Sequence, residues 1–200
     1  MNRIMLATAA AAAICARVPA LAFAQDNEVS DNGVYGDLGW SHLTTNGAST
    51  EGIQGRVGDR FMRFFGVEGE LRAGLSTGAA TVNYTSGAPP VTIPITTGVK
   101  QALDGAVFGV GYLPINHRFD LLGRVGYGWS RYDLSPTGIP AAHANEHGLR
   151  YGAGAEYFLD GKNGIRVDWT REQMDNFTVP TGLDVSNHAN VWAVSFAHRF

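Results

Sequence analysis

Beyond residue 24 the sequence has no cysteine, and the single one in the chain, Cys15, lies inside the first two dozen residues. That excludes a disulfide-stapled scaffold or a cysteine-ligated metal centre for the rest of the chain. Nor does any run of about 18 consecutive apolar residues follow, so a membrane-crossing helix is excluded as well. Basic side chains are also scarce. Removing Arg3 and Arg17 with the N-terminal segment leaves 13 Lys and Arg against 18 Asp and Glu, the opposite of the basic footprint of a nucleic-acid binder.

What is present begins with "MNRIMLATAAAAAICARVPALAFAQ". Arg3, an apolar run from Ile4 to Ala16, and Ala22-Phe23-Ala24 before Gln25 have the shape of a secretory signal with an A-x-A cleavage site. The expected division is a cleaved signal peptide over residues 1–24 and one domain over 25–200.

That domain reads as all β, because it is rich in glycine and aromatics and alternates with period two. Eight runs stand out: Gly33 to Leu43, Thr50 to Val57, Arg63 to Ser76, Gln101 to Leu113, Phe119 to Tyr132, Gly148 to Phe158, Gly164 to Gln173, and His188 to Phe200. Connections after the second, fourth and sixth are short ("GDRFM", "PINHR", "DGKNG"). Those after the third, fifth and seventh are long, notably "TGAATVNYTSGAPPVTIPITTGVK" and "DLSPTGIPAAHANEH". "TTNGAS", after the first run, is short although it falls on the long-loop side.

In the fifth run Phe119, Leu121, Val125, Tyr127 and Trp129 share a face, against Asp120, Arg124 and Ser130. The third, sixth and seventh runs alternate likewise. In the fourth, Ala106, Phe108, Val110 and Tyr112 are expected to look outward, with the reverse phase left open. A soluble sandwich would bury the greasy face and wet the other. Here the polar face carries several charges per strand beside glycines, and the apolar face carries aromatics near the strand ends. Such a pattern suits a membrane barrel with apolar residues on lipid and charges paired in a narrow lumen.

The expected fold is therefore an eight-stranded antiparallel up-and-down transmembrane β-barrel. Threaded from a periplasmic N-terminus, lipid-facing aromatics gather at two heights. Trp40, Trp129, Tyr151, Trp169 and Trp192 fall near the long-loop rim; Phe65, Tyr112, Phe119, Tyr157 and Phe200 fall near the short-turn rim. The ten steps from Phe119 to Trp129 span roughly 23 Å when tilted about 45°, close to the ~25 Å apolar band of such barrels. The final strand is expected to pair with the first, because lipid tolerates no open sheet edge.

The glycine and aromatic alternation of "GVEGELRAGL", "GRVGYGWSRYD" and "RYGAGAEYFL", with a terminal Phe, resembles the OmpA-type, opacity-like outer-membrane β-barrel family of Gram-negative bacteria. The resemblance covers essentially all of residues 25–200. It implies a cell outer-membrane location with long loops extracellular, and lipopolysaccharide and phospholipid as surroundings. It also implies an insertion signal, read by the barrel-assembly machinery, at Trp192, Val194, Phe196 and Phe200. His198 stands where an aromatic such as Tyr is usual.

Four features of the sequence bear on chemistry. "HANEH" (His143 to His147) fits the H-x-x-E-H pattern of inverted zinc peptidases, but that pattern needs a helix and here runs into a strand, so it is read as a solvated loop. Ser41-His42 and Ser195 with His198 lack an obvious acidic orienter, and the H-x-S arrangement expected of lipid A deacylases is absent. The Gly-x-Gly pairs Gly109/Gly111, Gly126/Gly128 and Gly152/Gly154 have no strand-loop-helix context for phosphate and fit a barrel interior. The interior set Glu68, Glu70, Arg72, Arg124, Arg150, Glu156, Arg166, Asp168 and Glu172 is read as a neutralising lumen network, with Glu70 and Arg124 as the best-placed pair.

Taken together, the sequence reads as a non-enzymatic structural or surface-interaction barrel with no cofactor and no metal, and with a possible surface ligand on the long, Thr- and Pro-rich loop. A narrow small-solute pore and, less favoured, a lipid A-modifying enzyme are the alternatives.

Overall fold

The computed structural model describes residues 32–45, 47–86, 91–138, 140–175, 183–184 and 187–200. The signal peptide expected over residues 1–24 lies outside the described residues. Ten strands follow in chain order: β1 (Gly33–Thr45), β2 (Ala48–Met62), β3 (Phe65–Gly74), β4 (Gly78–Ser86), β5 (Val91–Asn116), β6 (Phe119–Pro136), β7 (Ala142–Phe158), β8 (Asn163–Gln173), β9 (Leu183–Asp184) and β10 (His188–Arg199). Eight of them close a barrel.

Every neighbouring pair is antiparallel, running β1, β2, β3, β5, β6, β7, β8, β10 and back to β1. Closure comes from Tyr35 to Thr44 of β1 against Arg199 to Asn190 of β10. The ring leaves no open strand edge, which a lipid-facing sheet requires.

Alternating burial confirms the period read from the sequence. Along β6, Leu122, Arg124, Ser130, Tyr132 and Leu134 are buried, while Val125, Tyr127 and Trp129 are exposed. Turns at the short-loop end are tight. In the β7–β8 turn, Gly161 takes φ 80°, and Asp160 accepts backbone hydrogen bonds from Lys162 (3.0 Å) and Asn163 (2.6 Å). Those bonds, led by one from the Asn163 side chain, hold the Asp160 carboxyl below its usual range.

Two expectations are overturned. The stretches read as long loops are largely strand: β4 pairs with the first half of β5, from Gly78↔Val99 to Ser86↔Val91, and β6 and β7 continue above the ring to Leu134↔Ala142. Thr- and Val-rich sequence extends readily because its β-branched residues favour the strand backbone, and the base of this hairpin buries Ala80 and Val99 in the mouth of the barrel. "HANEH" is therefore part of a strand and not a loop. His143 and His147 point out of the barrel and Glu146 points in, so these three side chains do not converge.

The phase of β5 is the second correction. Phe108, Val110 and Tyr112 are buried, and Val107 and Leu113 are exposed. Cα partners share a face, and Phe108 opposes Glu68 while Val110 opposes Arg124, both of them inward. A register shift between Gln101 and Leu103 sets this phase. Gly109 and Gly111 consequently sit on the outer face, whereas Gly126, Gly128, Gly152 and Gly154 fall on the inner one as expected. Bulk is excluded there: a Cβ on Gly126 would lie 2.1 Å from the Val107 carbonyl oxygen.

Candidate functional site: a filled lumen and a banded outer wall

The interior is built in three storeys. At the long-loop end an apolar cluster spans the mouth, including Leu43 and Ala48 from β1 and β2, Val99 from β5, Tyr132 and Leu134 from β6, and Val191 from β10. At the short-turn end Tyr35, Phe108, Val110, Tyr112 and Leu122 form a second cluster. Between them lies the charge network.

All nine residues of the sequence-derived lumen set are buried. Arg124 is its hub. Its guanidinium donates to Glu68 (3.0 Å), Glu70 (2.8 Å) and Asp168 (2.8 Å) and lies 4.4 Å from the centre of the Phe108 ring. The Glu70–Arg124 pair proposed from the sequence is thus formed. Arg166 donates to Glu68 at 2.6 Å. Arg150 grips Asp104 through both terminal nitrogens, at 2.9 and 2.6 Å, and Arg72 bridges Asp104 and Glu172. Glu156 stands apart near Arg199, 3.8 Å away.

Sequence reasoning missed five members. Arg56 binds Asp168 bidentately (2.9 and 2.8 Å) and Glu70 at 2.7 Å. Asp37 faces Arg56 at 3.4 Å, and Asp104 joins Arg72 to Arg150. Arg60 and Asp120 pair at 2.7 Å near the short-turn end. A signal existed for Arg56, two positions from Gln54 and four from Arg60 along β2. None existed for Asp104, because the register shift hides its phase.

Glu146 is buried at the top of the network, and neither of its carboxylate oxygens has a hydrogen-bond partner among the described residues. A small cavity of about 10 Å³ adjoins it, lined in part by Ser130, Arg150, Glu172 and Met174. That volume matches about one water molecule.

Outside, the wall is apolar and banded. Of the expected interface aromatics, Trp40, Trp129, Tyr151, Trp192, Phe65, Tyr157 and Phe200 are exposed, and Trp169 and Phe119 are half-buried on the outer face. Trp169 and Trp192 are Cα partners, and Tyr151 meets Trp169 edge to face, with ring centroids 6.4 Å apart. Tyr112 does not belong with them. It is buried inside and donates to the Tyr35 hydroxyl at 2.9 Å, which in turn donates to Glu68. The cause is the reversed phase of β5. Val194 and Phe196, expected in the insertion signal, face outward with Trp192.

Two histidine readings change. Ser41 and Ser195 point inward and are buried, so neither faces a histidine on its own strand. His42, however, has an acidic neighbour that the sequence did not suggest: its Nδ1 lies 2.8 Å from Glu51 Oε1 on β2.

A closed antiparallel ring with apolar side chains outside and paired charges inside is a transmembrane barrel of the outer-membrane type. The chain belongs to the outer membrane protein beta-barrel domain family, whose model matches residues 7–200, and it is accordingly a protein of the Gram-negative outer membrane. No curated protein matches the sequence. Solved structures share the fold at low identity. Ail, the attachment invasion locus protein of Yersinia pestis, solved in complex with the heparin analogue sucrose octasulfate, is 16% identical, with 86% of this chain and 100% of Ail covered and a TM-score of 0.53. OprG from Pseudomonas aeruginosa is 14% identical, with 84% and 96% covered and a TM-score of 0.57. Neisserial surface protein A is 9% identical, with 86% and 98% covered and a TM-score of 0.52.

Proposed function

We propose that this barrel acts through its surface, as a structural and surface-interaction component of the outer membrane, and does not conduct solutes. The observation that carries the reading is the filled lumen: ion pairs occupy its middle and apolar clusters close both ends. A solute would have to break buried charge pairs, each of which leaves an uncompensated ion when one partner is removed. In this arrangement the N-terminus is periplasmic, and the barrel-assembly machinery inserts the chain. Lipopolysaccharide and phospholipid surround the wall, and the long-loop end, extended by β4 and β5, faces the exterior. A surface ligand there is in keeping with Ail, which was solved with a sulfated sugar.

Planar bilayers carrying the purified protein test this directly. The expected record has no discrete channels up to the voltage at which the bilayer itself fails. Stable single-channel steps would overturn the closed-lumen reading and favour the narrow pore.

A further inference from the structure

The outer wall carries a hydroxyl, an imidazole and a carboxylate in one chain of contacts. Thr44 Oγ1 lies 3.3 Å from His42 Nε2, and His42 Nδ1 lies 2.8 Å from Glu51 Oε1. Glu51, as a carboxylate, only accepts, so Nδ1 carries the proton and Nε2 is left to accept from the Thr44 hydroxyl. This is the order of roles that nucleophilic acyl transfer needs: a nucleophile, a base that takes its proton, and a group that fixes the base's tautomer.

Register places the triplet at one height on the wall. Thr44 lies in a row with Arg171 and Asn190 on one side and Ser49 on the other. One step below, His42 lies in a row with Trp169 and Trp192 on one side and Glu51 on the other. The row beneath that is wholly apolar, with Val194, Trp40 and Ile53. A polar row, a row with two tryptophans and a wholly apolar row in succession mark a membrane interface, the depth at which the ester linkages of a lipid lie. The "TTNGAS" connection lies above the site, with Gly47 at φ 77°, and the His42 and Glu51 side chains are 32% and 40% exposed.

We propose that Thr44, His42 and Glu51 form an esterase site for fatty acyl oxygen-esters of a phosphate-bearing outer-leaflet amphiphile. Thr44 Oγ attacks the ester carbonyl carbon as His42 Nε2 takes its proton. The carbon–oxygen bond to the lipid alcohol then breaks, and His42 returns that proton to the departing alkoxide. Water, entering from the polar row above, attacks the acyl-threonine with His42 again as base, releasing the fatty acid and restoring the Thr44 hydroxyl. Asn190, whose Oδ1 is held by Arg171 Nη1 at 3.1 Å, turns its NH₂ to the developing oxyanion, and Arg171 supplies a charge for the phosphate. Thr44 and His42 are the catalytic residues and Glu51 a positioning one. This inference goes beyond the surface role proposed above and does not rest on whether the lumen conducts.

The test is fatty acid release, followed by mass spectrometry, from two sets of vesicles carrying the purified folded barrel: phosphatidylethanolamine with phosphatidylglycerol, and the same lipids with added lipid A. Release above protein-free vesicles is expected in at least one set, and the set that responds identifies the lipid. Thr44→Val and His42→Asn should fall to the blank. Thr44→Ser should keep or raise the rate, since it retains the hydroxyl and loses only the β-methyl. Glu51→Gln should lower kcat at least tenfold with KM unchanged, a split that general loosening of the wall would not give. Mobility in unheated gels reports folding of each variant, so a misfolded Thr44→Val leaves His42→Asn to decide. Silence in both vesicle sets, or release that survives both Thr44→Val and His42→Asn, would overturn the proposal.

Discussion

At the scale of the residue, the network is not a set of independent pairs. Arg124 serves Glu68, Glu70 and Asp168 together, whereas Glu70 is also held by Arg56. Arg124→Ala should therefore cost more than Glu70→Ala. Removing one partner of a buried pair typically costs ~3–5 kcal/mol, and the double variant should cost less than the sum, because the shared contact is lost only once. Thermal unfolding in detergent measures all three, and additive losses near zero would show that the lumen is wet. Glu146 behaves oppositely. Having no partner among the described residues, its charge is a burden, so Glu146→Gln should raise the unfolding temperature at neutral pH. Legibility at this scale followed strand phase. Glu68, Glu70 and Arg72 alternate cleanly with Val67 and Leu71 and were readable; Arg56, in step with Gln54 and Arg60 on β2, carried the same signal, while Asp104 beside a register shift did not.

At the scale of the element, all eight barrel strands were legible, because a polar lumen and an apolar exterior impose the same period two that the sequence displays. The phase failure has one cause: the pattern assumed that apolar always means outward. In β5 the inward positions are themselves apolar, since they cap the lower end of the lumen with Tyr35 and Leu122. Phase there is set by cross-strand partners on β3 and β6, which no single run of sequence contains. Cysteines at adjacent positions check the result. Val107→Cys, on the lipid face, should give a spin label accessible to oxygen, and Phe108→Cys should label poorly or give a label shielded from it. The reverse pattern would restore the outward phase for Phe108. The Thr44–His42–Glu51 chain escaped notice for a related reason: His42 and Glu51 are nine residues apart in sequence, and only the β1–β2 register brings them face to face.

For the whole molecule, the ring is closed by its two ends. Phe200 donates its backbone N–H to the Val34 carbonyl at 3.0 Å, and its ring meets His198 edge to face, with centroids 4.9 Å apart. Deleting Phe200 should lower the amount of heat-modifiable protein in outer-membrane fractions and increase periplasmic degradation; unchanged insertion would show that neither this closure nor the terminal aromatic is needed for assembly.

The span of the network in sequence also governs when the protein can become itself. Arg56 and Asp168 are 112 residues apart, and Arg166 and Glu68 are 98 apart, so the early strands carry charges whose sets of partners are completed only with β8. Until then an open sheet would hold Arg56 without Asp168 and Glu68 without Arg166, and an under-compensated ion in hydrocarbon is costly. Partial barrels are thus poor membrane residents. The growing sheet must keep its concave side wet until β8 arrives and β10 seals it to β1, which makes drying of the interior a late and all-or-none event. A chain halted before β8 should therefore be recovered outside the bilayer fraction, since the late-arriving charges of the lumen disfavour early release into lipid.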